Sequence, residues 1–148
     1  MIRIELTDWA GARAEASRIR ETVFVAEQGV PAELELDEHD PHCIHALARD
    51  ETGSAVATGR LLPGETRDGR IVAHVGRMAV LREWRGRGIG GALLARLIEA
   101  ARERGDAEVV LAAQTHAQDF YRAHGFVAEG GEFIEAGIPH RTMRRVLA

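Results

Sequence analysis

The chain opens on a strict alternation, with Ile2, Ile4 and Leu6 apolar and Arg3 and Glu5 charged. A period of two puts each class on its own face, so 2–6 reads as a strand. From Ala12 to about Gln28 the period lengthens to helical spacing, with Ile19, Val23 and Ala26 on one face. Asp8 is placed to cap that helix, and Gly29-Val30-Pro31 ends it. Pro31 to Cys43 is an acidic loop carrying Glu33, Glu35, Asp37, Glu38 and Asp40. Two apolar runs, Ile44–Arg49 and Ala55–Leu62, flank Glu51-Thr52-Gly53-Ser54 and predict a hairpin. A turn-rich loop over Pro63–Arg70 leads to a long strand over Ile71–Leu81.

The clearest helix follows. Ile89, Leu93, Leu94, Leu97, Ile98 and Ala101 keep one face, and Gly105 is a natural stop. Glu108–Ala113 reads as a buried strand and Thr115–His124 as a short helix closed by Gly125. Phe126–Val127 and Arg141–Val146 read as closing strands. The order is mixed α/β, with a strand, a glycine loop and a helix at its centre.

Length and composition fit this picture. At 148 residues and 45% apolar content, one domain spanning 1–148 can bury a core without disulfides. No run approaches the ~20 apolar residues of a membrane span. Met1–Leu6 lacks the pattern of a secretion signal, and Cys43 is the only cysteine, so a cytoplasmic setting and no membrane partner are expected. A net charge of −4, with arginine as the only strong base, argues against nucleic acid.

The chemistry centres on Arg85-Gly86-Arg87-Gly88-Ile89-Gly90-Gly91. Free N–H groups and the dipole at a helix start attract an anion. Glycines let a phosphate approach the backbone, and either arginine can bind one bidentately. A P-loop is excluded, because no lysine follows the glycines. Gly86, Gly88 and Gly91 satisfy the dinucleotide fingerprint formally, and Glu108 stands at about the required distance. The motif lies past mid-chain, however, with one plausible parallel strand after it. A bare turn would not need two arginines and four glycines.

The segment Arg85–Gly90 resembles the coenzyme A motif of the GNAT acetyltransferases: Arg or Gln, two residues, Gly, one residue, then Gly or Ala. Gln118–Phe126 resembles the second signature of that family, an aromatic–Tyr pair shortly before Gly-Phe. Val23–Pro31, Glu35, Asp37, Asp40, His45 and Gly137-Ile138-Pro139-His140 resemble the ElaA-like branch. The resemblance implies an acyl-CoA N-acyltransferase fold, a mixed six- or seven-stranded sheet with helices on both faces. Coenzyme A would enter where the central strand splays from its neighbour. The resemblance implies acetyl-CoA as co-substrate, with its pyrophosphate on the backbone of Arg85, Gly86, Arg87, Gly88, Ile89, Gly90 and Gly91. Met78, Ala79 and Val80 would run beside the pantetheine arm, with Gln114 and Phe120 bordering it. The acceptor would be a small-molecule or peptide amine, attacked directly in a ternary complex, and a homodimer is one assembly to expect. A sensor that holds acyl-CoA without turnover is the alternative.

Acetyl transfer needs a base for the amine and an acid for the departing thiolate. Tyr121, the only tyrosine, is the candidate acid. His74 is the candidate base, on the strand where the histone-acetylating branch carries a glutamate; Glu27, Glu35 and His140 are its rivals. Arg77 interrupts an apolar strand and needs an acidic partner on the first helix or in the acidic loop, such as Glu27. His39, His42, Cys43 and His45 are close in sequence but lack the paired spacing of zinc ligands, so no metal is expected. Glu33, Glu35 and Asp37 would rim the acceptor cleft and draw a cationic amine.

Overall fold

A computed structural model describes residues 1–147. Its strands are β1 (Arg3–Thr7), β2 (Ile44–Arg49), β3 (Ala55–Leu61), β4 (Glu65–Arg67), β5 (Arg70–Val80), β6 (Glu108–Gln114), β7 (Val127–Glu135) and β8 (Ile138–Val146). Its α-helices are α1 (Trp9–Arg20), α2 (Ala32–Glu35), α3 (Ile89–Arg104) and α4 (Gln118–Ala123). The sheet runs β1-β2-β3-β5-β6-β8-β7, with β4 added as a short hairpin on β5. That gives eight strands against the six or seven expected, the extra one arising in the Pro63–Arg70 loop. No described helix is long and apolar enough to cross a membrane.

Helices cover both faces. Leu93, Leu94, Leu97 and Ile98 of α3 pack with Ala46, Ala48, Ala73 and Val75 on one side. Ala12, Ala16 and Ile19 of α1 pack with Leu47, Ala55 and Ala79 on the other. Asp8 caps α1, its Oδ1 accepting from the Gly11 N–H at 2.9 Å. The predicted long first helix changes character at Glu21, where a seven-residue π-helical stretch runs to Glu27. The wider turn rotates Phe24 and Gln28 toward the middle of the sheet, where both line cavities.

Two irregularities of β5 shape the centre. Between Gly76 and Ala79 the strand carries two residues where β3 carries only Gly59. This bulge leaves Arg77 at φ +51°, a conformation that non-glycine residues adopt only when their surroundings hold them there. It also shifts the pleat. Ala73 and Val75 face α3 before the bulge, and Met78 and Val80 face it afterwards. Gly59 is required opposite, because a Cβ there would stand 2.5 Å from the Met78 sulfur.

The second irregularity is a parting of strands. β5 and β6 pair in parallel only at Val72↔Glu108, Ala73↔Val109 and His74↔Val110. Beyond His74, β5 stays with β3 while β6 stays with β8. A wedge opens between them, bordered by backbone groups without a ladder partner.

The second half also differs from expectation. The strand predicted at Phe126–Val127 extends to Glu135 and pairs with β8 as a long hairpin. Gly130–Glu132 oppose Arg141 alone, and the Gly130 carbonyl accepts from the Arg141 guanidinium at 2.8 Å. A tight turn at Ala136 and Gly137, with φ of +51° and +77°, closes it.

Candidate active site

The wedge is the mouth of a cavity of about 410 Å³. One wall is β5, from Val75 to Val80, and the other is β6, with Leu111, Ala112 and Gln114. Arg85, Gly90, Phe120 and Tyr121 complete it, together with Phe24 and Gln28. Of the expected coenzyme residues, Met78, Ala79, Val80, Arg85, Gly90, Gln114 and Phe120 therefore meet at one place. Gly86, Arg87, Gly88, Ile89 and Gly91 lie on the loop and first turn just outside the cavity walls.

Gly86 and Gly88 adopt φ of +76° and +78°, the left-handed region that only glycine enters freely. Gly88 precedes α3 with no side-chain cap, and the first helical bond runs from Ala92 N–H to the Gly88 carbonyl at 3.1 Å. The N–H groups of Ile89, Gly90 and Gly91 thus lack helical acceptors and are free to donate to an anion. Arg85 turns toward the cleft, donating to the Val80 carbonyl at 2.8 Å and pairing with Glu27 at 2.9 Å. Arg87 instead stacks on Trp84, 4.7 Å from the ring centroid, and stays exposed.

Tyr121 packs edge-on against Phe120 and Phe126, at centroid distances of 5.0 and 5.9 Å. Burial pushes its phenol up to about 12, so it stays a proton donor through the neutral range.

A second cavity of about 280 Å³ adjoins the first. Phe24, Gln28, Gln114 and His140 line both. Val30, Leu34, Glu35, Arg77, Glu135 and Ile138 form the remainder of the second. At the boundary the Gln114 side-chain amide donates to the Gln28 oxygen at 2.9 Å. The ring Nδ1 of His140 lies 2.6 Å from the Ile138 carbonyl, which fixes the proton on that nitrogen. Nε2 is left as an acceptor, 3.9 Å from the Glu135 carboxylate.

His74 lies elsewhere. It precedes the bulge, where the strand still pairs with β6, and its Nε2 meets Glu65 of β4 at 3.1 Å. It lines neither cavity.

Three carboxylates of the acidic loop, Glu35, Asp37 and Asp40, are engaged by arginines. Arg20 binds Glu35, and Asp40 at 2.8 Å; Arg60 grips Asp37 with two bonds of 2.7 Å and reaches Asp40 at 2.8 Å. Arg77 donates to the Glu35 carbonyl at 3.1 Å and to Asp37 at 3.2 Å. Its partners are thus in the loop, one of the two places expected from sequence, and Glu27 of the other holds Arg85 and Arg82. Burial alone would raise the Asp40 carboxyl, but the bonds and charges of Arg20 and Arg60 outweigh it and hold it low. Asp37 is held low in the same way by Arg60 and Arg77.

His45 stacks on Trp9 at 4.8 Å and its Nε2 sits 2.9 Å from the Asp40 carbonyl. Cys43 bonds the His39 carbonyl at 3.2 Å, and burial pushes its thiol up, away from a reactive thiolate. Among the described residues no three His, Cys, Asp or Glu side chains are grouped to hold a metal ion.

The chain is similar to known proteins over nearly its whole length. Residues 13–147 match the family described as "Acetyltransferase (GNAT) domain". The chain belongs to the GNAT acetyltransferase family. The uncharacterized N-acetyltransferase YjcF of Bacillus subtilis is 39% identical over 132 residues, covering 88% of this chain and 90% of that protein. An acyl-CoA N-acyltransferase from Pseudomonas aeruginosa superposes with a TM-score of 0.83 at 33% identity, over 98% of this chain and 99% of the other. Escherichia coli ElaA superposes at 0.84 with 28% identity and the same coverage, in line with the branch suggested by the sequence motifs. The eight-stranded mixed sheet is thus a GNAT fold, and membership supports acyl transfer as the class of activity.

Proposed function

We propose that the protein transfers an acetyl group from acetyl-CoA to a primary amine by direct attack in a ternary complex. The observation carrying this reading is the pair of adjoining cavities that share Phe24, Gln28, Gln114 and His140. One suits the coenzyme arm, the other suits an amine, and their junction is where the reacting atoms would meet.

The residues fit acetyl-CoA. The N–H groups of Ile89–Gly91 and the Arg85 and Arg87 guanidinium groups hold the pyrophosphate. The free backbone edge of Met78–Val80 and the Gln114 amide pair with the pantetheine. When bound, acetyl-CoA supplies an activated thioester carbonyl. A backbone N–H of the wedge stabilises the oxyanion that develops on attack. His140 Nε2 accepts the proton of the incoming ammonium, directly or through one water, so the base is His140 in place of His74. Glu135 steadies the ammonium nearby. Tyr121 gives its proton to the departing thiolate.

The test is coenzyme release, followed continuously with a thiol reagent, in the presence of a panel of amines. Wild-type protein should release coenzyme only when an amine is added. His140→Gln should lower kcat at least ~10-fold while acetyl-CoA affinity holds. Release without any amine, or full activity in His140→Gln, would contradict the reading.

A further inference from the structure

The second cavity holds a cation that its neighbours only partly neutralise. In the buried cluster, Glu35 and Asp40 are engaged by Arg20, and both Asp37 oxygens are gripped at 2.7 Å by Arg60. Arg77 is left with one longer bond to shared Asp37, with two neutral backbone carbonyls, those of Leu34 and Glu35, and with the already engaged Glu35 carboxylate 3.9 Å from its Nε. Its Nη1 has no partner among the described residues, while its side chain stays 29% exposed beside the cavity. Burial, then the charge of nearby Arg60, pushes its guanidinium down, as expected of a cation short of negative partners. The bulge at φ +51° aims this arginine to that side of the sheet.

The other walls have different chemistry. His140 stands at the junction, and the Glu135 carboxylate lies 3.9 Å from its Nε2 on the second cavity's side. Phe24, Val30, Leu34 and Ile138 supply apolar surface, and Leu34 is 53% exposed at that site. A volume of about 280 Å³ admits a small molecule.

We infer that this cavity takes an apolar amino acid or close analogue, its carboxylate on Arg77 Nη1, its amine by His140 and Glu135, and its side chain on the apolar wall. The inference rests on the acyl-transfer reading above and names its acceptor class.

The experiment uses wild-type protein with acetyl-CoA. Turnover of L-leucine, L-methionine and L-phenylalanine is compared with that of their amides, of 3-methylbutylamine and of spermidine. Rates are expressed per unprotonated amine, because the amides ionise differently. The acids should exceed their amides about tenfold or more in kcat/KM, the size of one charge-assisted hydrogen-bond pair. Arg77→Gln should bring the acid-to-amide ratio of kcat/KM down to about one. If that variant fails to fold, the wild-type ratios decide alone. Equal rates for acids and amides, or spermidine as the only acceptor, would overturn the inference while leaving acetyl transfer intact. Failure to bind acetyl-CoA would instead overturn the parent reading.

Discussion

Tyr121→Phe should lower kcat by about 10²–10⁴-fold, the usual contribution of a positioned acid, with acetyl-CoA affinity unchanged. The substitution removes one oxygen and keeps the ring. The edge-on packing against Phe120 and Phe126 survives, so the fold should not respond. No hydrogen bond from the phenol to a described residue is lost. Burial holds the phenol at about 12, so Tyr121 stays protonated where an ordinary tyrosine begins to ionise. An alkaline fall in rate therefore should not come from this residue at any mildly alkaline pH. Steady-state rates beside calorimetric binding separate the outcomes. A protein that only senses acyl-CoA would show no change in either measurement, and a merely structural tyrosine would change stability first.

Arg20→Ala should destabilise the protein by about 3–5 kcal/mol, the scale for removing one member of a buried ion cluster. Arg20 is almost wholly buried, and its guanidinium serves Glu35 and Asp40, with Trp9 5.6 Å away. Its loss strands two carboxylates away from water, with Arg60 reaching only Asp40. Against a typical total stability of ~5–15 kcal/mol, that loss is large. Urea unfolding of both proteins gives the difference. A loss under ~1 kcal/mol would mean that the cluster is hydrated and does not hold the loop. Since α2 supplies Leu34 and Glu35 to the acceptor cavity, acceptor KM should rise in the same variant.

The glycine loop and the start of α3 were legible in the sequence because their signals are local. Gly86 and Gly88 stand where the backbone turns left-handed, and the α3 stripe begins at the next residue. The hairpin of β2 and β3 was equally legible, from two apolar runs around a Gly-Ser turn. The acceptor side depends on features with no local signature. A π-helical stretch over Glu21–Glu27 has the same apolar spacing as an α-helix over so few residues, yet it sets where Phe24 and Gln28 point. The bulge at Arg77 reverses the pleat, so His74 and the wedge lie on different stretches of one strand. For that reason a histidine at a plausible spacing falls beside Glu65, and His140, one of its rivals, reaches the junction. Gly130 and Gly131 sit in a bulge inside a continuous hairpin, which carries the strand predicted at Phe126–Val127 on to Glu135.

The most direct test of the central claim is calorimetric titration of acetyl-CoA into wild-type protein and into the Arg85→Ala/Arg87→Ala double variant. Micromolar binding at one site per chain, weakened about tenfold or more in the variant, is the result expected from a phosphate site at the start of α3. Absence of binding to the wild-type protein would contradict the account, because neither cavity would then hold an acyl donor.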